Sequence, residues 1–238
     1  MIEKGSRTRM FIEHKFNGCK YNNSAFECNT WKLDIGIHAR SPDDEEGDDS
    51  FMCHLSASFQ KMNFFLNQVM NDIFIVGSKN VDKFDALIAM DTANPILMLP
   101  ENTTDDIFVQ VLHKKLSVLC GEYICIEEIS LRCEEAKTTF KYTNNNNADY
   151  ILPEQKDFMG EMALYDEPWW NRYDCDTCDE CVPEDVDREE IIQQVSTKHY
   201  LDTIDQMVMD EHKEEDKDQK TQVIRMSEAR KVWDPRQV

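Results

Sequence analysis

The sharpest chemical motif in the sequence is a run of three cysteines, Cys175, Cys178 and Cys181, each separated from the next by two residues. Thiolates at this spacing can reach one metal ion, and a structural zinc site takes four ligands. The sequence has no second Cys-x2-Cys pair, so His199, His212 or a distant cysteine would have to supply the fourth ligand. The alternative is an acidic, cysteine-bearing loop without metal. We therefore predict no cofactor, with zinc at these cysteines as the exception to test.

Cations alternate with aromatic residues along the first 40 positions of the chain. Aromatic side chains can stack on unpaired bases while Lys and Arg contact the phosphates, as in proteins that bind single-stranded nucleic acid. The alternative is an ordinary sheet whose aromatic residues form the core and whose charges face solvent. The predicted nucleic-acid contacts are Arg7, Arg9, Lys15, Lys20, Trp31, Lys32 and Arg40.

The charge of the chain is distributed unevenly. Residues 1–42 carry seven Lys and Arg against four Asp and Glu, whereas residues 151–238 carry eleven against twenty-four, and the net charge is -21. An acidic rear of this kind can bind a basic protein surface or cover the basic face of the front domain. We expect it to modulate nucleic-acid binding.

Tryptophans mark two candidate docking segments in the acidic rear. Trp169 and Trp170 follow Pro168, and Trp233 lies among the apolar residues that come after the charged run 210–220. All three are predicted to dock a partner. For Trp169 and Trp170, a packing role within the protein is the alternative.

Alternation of apolar and polar residues predicts the strands. His38 and His54 fall on the polar faces of two of these strands. We therefore expect His14, His38 and His54 to face solvent or line a groove, and not to bind zinc. Glu127-Glu128 interrupts the alternation of its strand and indicates a bulge. Strands are expected at 9–16, 31–38, 51–59, 73–76, 84–90, 123–132 and 137–143, with 31–38 and 51–59 as an antiparallel hairpin.

Two helices are predicted, over residues 59–72 and 103–120. The second has the clearer signals: Thr103 or Thr104 as its cap, acidic residues in its first turn, and Gly121 after its last turn. Its buried stripe is expected to be Phe108, Leu112, Leu116 and Leu119.

These elements predict an α+β fold in which two helices pack on an antiparallel sheet. Residues 1–147 form the α+β core domain, 148–209 an acidic irregular or helical extension, and 210–238 a charged tail with a docking segment. The C-terminal region is therefore expected to be acidic and partly helical or disordered.

Two family resemblances add expectations. The segment from Asn94-Pro95 through 99–106, its helix and the hairpin to Tyr142 resemble the second half of a tunnelling-fold pterin or queuosine synthase. This resemblance implies that Glu127 or Glu128 holds the pterin and that His14 is a zinc ligand.

The acidic, Asn-rich composition, with its tryptophan tract and charged tail, is similar to that of accessory proteins of large-genome, nucleus-forming bacteriophages. That resemblance implies a nucleic-acid-associated α+β protein.

The sequence carries no Gly-rich phosphate loop, nucleophile elbow or His-Glu-x-x-His motif, so we expect a non-enzymatic protein. No apolar run of about 20 residues is present, so no membrane partner is expected, and the polar start of the chain favours the cytoplasm.

The expected function is that of a phage accessory protein that binds single-stranded nucleic acid, RNA ahead of DNA, as a monomer or homo-oligomer. An acidic protein adaptor is the first alternative, and a diverged pterin-type enzyme is the second.

Overall fold

The computed structural model describes residues 9–22, 24–40, 48–90, 93–101, 103–143, 152–160, 163–179, 189, 192 and 201–210. Cys181, Trp233, Arg7 and the charged tail beyond Asp210 lie outside these residues.

A six-stranded sheet forms the centre of the fold, with the strand order β4-β3-β1-β2-β5-β6. Strands β1, β2, β5 and β6 pair in antiparallel fashion, while β3 is parallel to both β1 and β4. The α+β class is confirmed, and the sheet is mixed rather than purely antiparallel. The strands are β1 Met10–Asn22, β2 Ala25–Ala39, β3 Ile73–Gly77, β4 Ile96–Leu99, β5 Ile124–Cys133 and β6 Thr138–Thr143.

The helices lie between the strands and after them. The main ones are α1 (Asp48–Phe64, continued by a π-helical turn over Phe65–Val69), α2 (Val81–Ala89) and α3 (Asp105–Cys120). A single turn, α4 (Gln155–Phe158), and a 3-10 turn over Trp169–Asn171 follow, and residues 201–210 are helical.

Two strand predictions are wrong, because both segments are helical. Residues 51–59 belong to α1, so the hairpin partner of β2 is β1 and not this segment. Ala57, Met62 and Phe65 continue a buried stripe at helical spacing, and this stripe outweighs the short alternating pattern that begins at Phe51. Residues 84–90 fall largely in α2, where Phe84 and Leu87, three positions apart, are buried on one side.

The predicted helix over residues 103–120 is confirmed and corresponds to α3. Thr104 has the extended backbone of an N-cap, and Asp105 and Asp106 occupy the positive first turn. The four residues of the predicted stripe are buried, Leu112 and Leu116 completely. Gly121 follows the last turn with φ 58, a conformation that favours glycine.

Helices α1 and α3 pack on one side of the sheet, which we call the inner face. Phe16 of β1 and Trp31 of β2 are directly opposite each other on this face, and the ring of Phe108 meets both edge-on at 6.1 Å. Alternate residues of β2 and β5 extend the same apolar layer, and Leu33, Ile35, Ile129 and Leu131 are completely buried. This layer is the hydrophobic core of the domain.

The predicted bulge at Glu127-Glu128 is confirmed. Gly36 pairs with Glu128 while the next residue, Ile37, pairs with Ile126, so Glu127 is the extra residue on β5. The bulge lies between two internal strands and not at an edge of the sheet.

Candidate nucleic-acid interface

The side of the sheet opposite α1 and α3 is the candidate interface, and we call it the outer face. Because strand side chains alternate, the residues that neighbour Phe16 and Trp31 point outward. Asn17, Cys19 and Tyr21 of β1 therefore lie beside Phe26 and Cys28 of β2. Helix α2 covers part of this face, since the Lys83 ammonium lies 5.8 Å from the Tyr21 ring centroid.

Arg9 lies across the outer face at the bulge. Its guanidinium contacts Glu127 at 3.0 Å and Glu128 at 2.9 Å. Gly36 makes room for this contact, because a Cβ there would lie 2.9 Å from the Glu128 Cγ and 3.0 Å from an Arg9 nitrogen. Hydrogen bonds from Lys141 and then Arg9 lower the pKa of Glu128. Arg9 is thus already paired with carboxylates.

Two further predicted cations on the outer face are also paired. The Lys32 ammonium contacts Glu13 at 3.0 Å and Asp34 at 3.3 Å, and hydrogen bonds to these two carboxylates raise the pKa of Lys32. The Lys15 ammonium contacts both oxygens of Glu134 at 3.0 Å. A phosphate would have to compete with these carboxylates for the cations.

The remaining predicted residues lie elsewhere. Lys20 points to the inner face and donates to Asp105 at 2.6 Å, and Trp31 is completely buried in the core. Trp31 therefore cannot stack on a base in this structure. Arg40 is exposed at the end of β2, and Arg7 lies outside the described residues. Of the predicted cations in the described part of the chain, Arg9, Lys15 and Lys32 are brought together on one face.

An open pocket of about 340 Å³ lies on the outer face where the β1–β2 hairpin meets the start of β3. Gly18 allows β1 and β3 to approach each other beside the pocket, because a Cβ at this position would lie 2.7 Å from the Ile73 carbonyl oxygen. The pocket wall combines an aromatic ring with amides, thiols and carboxylates. Its lining residues are Asn17, Gly18, Cys19, Cys28, Asn29, Thr30, Asp72, Phe74, Asn94 and Glu135.

Three aromatic rings lie next to this pocket. The Phe26 ring meets Tyr21 at 5.3 Å and Phe74 at 5.5 Å between centroids, both in tilted or edge-on geometry. Phe26 is 37% exposed, so one ring of this aromatic group is accessible. Tyr21 and Phe26 are among the aromatic residues that alternate with cations in the first 40 positions, whereas nothing in the sequence placed Phe74 or Asn94 beside them, because both come from distant segments.

The two predicted docking tryptophans of the extension are buried. Trp169 and Trp170 are 0% and 1% exposed, and the Trp169 indole N–H donates to the Met98 carbonyl of β4 at 2.7 Å. This is the packing role that the sequence left open. Docking through Trp233 stays a prediction, since that residue lies outside the described part of the chain.

A group of buried charges holds this segment against α3, and we call it the buried clamp: Lys115, Arg172, Asp174 and Asp179. The Lys115 ammonium donates to the carbonyl oxygens of Trp169 and Arg172, each at 2.8 Å, and contacts Asp174 at 3.3 Å. Burial lowers the pKa of Lys115 to about 8. Arg172 contacts Asp174 at 2.8 Å and also contacts Asp179. The clamp stabilises packing and has no opening to solvent at Lys115, which is 0% exposed.

The cysteine motif adjoins this clamp. Cys175 is buried, and burial raises the pKa of its thiol to about 12, so the thiol is protonated at neutral pH in this arrangement. Within the described ranges, no group of three or more His, Cys, Asp or Glu side chains is placed to hold a metal ion. Cys181 is outside those ranges, so zinc at Cys175, Cys178 and Cys181 stays a prediction.

The residues of the pterin-synthase resemblance are not brought together. His14 faces inward opposite Leu33, whereas Glu128 faces outward opposite Gly36. Burial lowers the pKa of His14. The expectation for His38 also differs from the structure, because this residue is 6% exposed and its Nδ1 lies 3.1 Å from Glu127.

The comparisons with known proteins identify no family. No family model matches the chain, and no curated protein is similar to it in sequence. Among solved structures, an uncharacterized protein, WS1659, from Wolinella succinogenes is similar at 10% identity with a TM-score of 0.36, over 59% of this chain and 100% of that one. A likeness of this size carries no functional argument.

In the part of the chain that the structure describes, no helix has both the length and the apolar character to cross a membrane.

Proposed function

We propose that this protein is a non-enzymatic accessory protein that binds single-stranded nucleic acid through the hairpin end of its outer face. The observation that supports this most directly is the accessible Phe26 ring beside a pocket whose lining includes Asn17 and Asn94. An unpaired base can stack on an aromatic ring while amides hydrogen-bond its edge.

The size and chemistry of the pocket fit a base better than a phosphate. Its volume of about 340 Å³ is at the small end of the range for ligand sites. Asp72 and Glu135 line it, and these carboxylates repel a phosphate but accept hydrogen bonds from exocyclic amino groups. Phosphate contacts would come from Lys15, Lys32 and Arg40, with Lys83 near Tyr21 as a further cation, after Lys15, Lys32 and Lys83 exchange their present partners.

RNA is the ligand that we propose first, because sequence-specific RNA recognition uses splayed bases held by stacking and edge hydrogen bonds. The acidic tail after Asp210 is proposed to weaken binding by competing for the same cations. A viral, large-phage source is supported only by the similarity of composition.

Binding is tested by fluorescence anisotropy of labelled oligo(U), oligo(dT) and a duplex of equal length with the full-length protein at several salt concentrations. Phe26→Ala should weaken single-strand binding by about 5- to 160-fold, because a stacked base contributes roughly 1–3 kcal/mol. The matched control is Phe11→Ala, since Phe11 is a more exposed aromatic residue (62%) at the other end of the same face. It should leave the affinity nearly unchanged.

The salt dependence of the binding affinity distinguishes the contribution of base stacking from that of phosphate neutralisation. Lys15, Lys32 and Arg40 replaced together by alanine should reduce the slope of log K against log salt by about 0.7 for each phosphate that the protein no longer neutralises. Replacing the carboxylates of Glu211, Glu214, Glu215, Asp216 and Asp218 by amides should tighten binding if the tail competes. If the protein binds neither oligonucleotide at low salt, the proposal is wrong.

A protein-binding adaptor is the second candidate, and a specific observation favours it. Arg9, Lys15 and Lys32 are each in contact with a carboxylate, so the outer face has little unpaired positive charge in this region. Such a surface attracts nucleic acid weakly and suits a partner with mixed charges. Absence of binding to all three oligonucleotides, together with a partner interaction that Phe11→Ala weakens, would support this candidate.

A further inference from the structure

Two cysteines face each other across the β1–β2 hairpin on the outer face. The register of the hairpin places Cys19 directly opposite Cys28. Of the cysteines in the described part of the chain, these are the two that are paired with each other in the sheet, since Cys125 is opposite His38 and Cys133 is opposite Trp31 and Thr138. They form a dithiol, and the hydrogen bonds of the sheet determine the distance between the two cysteines.

The hydrogen bonds of a neighbouring pair show which kind of position the cysteines occupy. Asn17 and Thr30 form the pair two positions away. The Thr30 carbonyl accepts from the Glu134 N–H at 2.9 Å, and the Thr30 N–H donates to the Glu135 carboxylate at 2.7 Å. Both backbone groups of Thr30 therefore point away from β1, which makes Asn17–Thr30 a non-hydrogen-bonded pair.

Pair types alternate along an antiparallel ladder, so Cys19–Cys28 is also a non-hydrogen-bonded pair. In such pairs the Cα atoms are about 4.5 Å apart and the side chains are closer than in the hydrogen-bonded type. Disulfides join residues whose Cα atoms are about 4.4–6.8 Å apart. The hairpin thus holds the two cysteines within the distance that a disulfide needs, without a change in backbone register.

The two thiols are in contact and differ in accessibility. The Cys19 thiol is within hydrogen-bond reach of Cys28. Burial, and then this contact, raise the pKa of Cys19 to about 11. Cys28 is exposed whereas Cys19 is only partly so, and both line the pocket. An oxidant from solvent therefore meets Cys28 first, with Cys19 positioned behind it.

We propose that Cys19 and Cys28 are a redox-active pair that closes to an intramolecular disulfide by exchange with a low-molecular-weight disulfide such as oxidised glutathione. The Cys28 thiolate attacks one sulfur of the small disulfide, whose S–S bond breaks and releases one thiolate. Cys19 then loses its proton to solvent and attacks the Cys28 sulfur, which releases the second small thiolate. Two electrons pass to the small disulfide, and the two protons from the protein complete its reduction to two thiols.

Formation of the Cys19–Cys28 disulfide changes the lining of the pocket as well as the hairpin. Two thiol groups leave the pocket lining and one S–S bridge replaces them, while residues 19–28 become a closed loop. A bridge that the native geometry accommodates restricts the unfolded chain, so the oxidised protein should have a higher Tm than the reduced one. This oxidation does not depend on nucleic acid and remains possible if the protein binds none.

The experiment treats reduced full-length protein with oxidised glutathione and analyses a tryptic digest by mass spectrometry without reduction. Cleavage at Lys15, Lys20 and Lys32 places the two cysteines on different peptides, residues 16–20 and 21–32. The expected product is the linked pair of these peptides, at a mass two hydrogen atoms below their sum, and its loss with dithiothreitol. The Tm should rise on oxidation and return on reduction.

Single variants identify the order of the steps. Cys19→Ser should accumulate the mixed disulfide of glutathione on Cys28, because no second thiol is present to displace it. Cys28→Ser should abolish the linked peptide and slow glutathione addition to Cys19. Cys125→Ser, a partly exposed strand cysteine outside the pair, is the control and should leave the linked peptide unchanged. If wild-type protein instead retains glutathione on Cys28, or links Cys28 to another cysteine or a second chain, the proposal is overturned.

Discussion

The outer face and the buried clamp use the same ionic groups in opposite surroundings. On the outer face, Lys15 and Glu134 form an ion pair whose side chains are 60% and 44% exposed. In the buried clamp, Lys115 and Asp174 form one whose side chains are 0% and 6% exposed. The outer pair is surrounded by water, while the clamp lies between α3 and the acidic extension.

The difference in exposure decides what each region can do. Exposed pairs gain little free energy and exchange partners readily, because water and salt screen them. A buried charge cannot regain its hydration, so it must keep its partners as long as the fold is intact. We therefore expect the outer cations to be available for binding and the clamp to fix the extension on the core.

The largest effect is expected from Lys115→Met. Removal of the ammonium leaves Asp174 without that cation and removes the donor to two buried carbonyl oxygens, those of Trp169 and Arg172. Loss of one partner from a buried ionic group costs about 3–5 kcal/mol. The free energy of unfolding, measured with urea, should fall by this amount.

The exposed neighbour Lys114 provides the control for that variant. Lys114→Met changes the same type of residue one position earlier in α3, and it should alter the free energy of unfolding by less than about 0.5 kcal/mol. Equal effects of the two variants would show that the clamp does not fix the extension in solution.

An intermediate effect is expected from His113, which is buried in α3 and whose Nε2 lies 3.1 Å from the Ile126 carbonyl oxygen. Burial lowers the pKa of His113 below its usual 6.5. Between the lowered value and 6.5, the unfolded chain binds more protons than the folded one, so stability falls as the pH decreases through this window. Urea unfolding at pH 7.5 and at lower pH should show the loss, and His113→Gln should reduce the slope. An identical slope in both proteins would contradict the assignment.

The smallest effect is expected from the outer pair of Lys15 and Glu134. A double-mutant cycle with Lys15→Ala and Glu134→Ala should give a coupling free energy of about 0.2–1 kcal/mol. It should decrease further at high salt, because the pair is exposed. A coupling as large as the loss in Lys115→Met would remove the contrast between the two regions.

Much of the fold follows from local patterns. The third helix, its glycine stop and the closing hairpin carry their own signals: spacing of apolar residues, an acidic first turn and alternation. Where two patterns compete, the sequence is misleading. In residues 51–59 the alternation is short, and the helical stripe that continues to Phe65 decides the structure because it places Ala57, Met62 and Phe65 in the core.

The candidate site was predictable only in part. The alternation of β1 and β2 indicates which residues share a face, yet it gives no information on which face is covered. The sequence pattern predicts Trp31 as a nucleic-acid contact, but this residue lies on the face that α3 covers and is completely buried. Phe74, Asp72 and Asn94 reach the pocket from segments that lie 33 or more residues beyond the end of the hairpin at Ala39.

Local sequence patterns predicted the strand segments 9–16 and 31–38, the helix over 103–120, the bulge at Glu127-Glu128 and the uneven distribution of charge, because each depends on residues close together in the chain. They did not predict that the two strands pair with each other. The packing of the folded chain sets which cations are paired, which aromatic rings are accessible, and that Cys19 lies beside Cys28. Those properties depend on burial and on contacts between distant segments. The solvent exposure of a residue depends on all the segments that pack around it, so a local sequence pattern does not predict it.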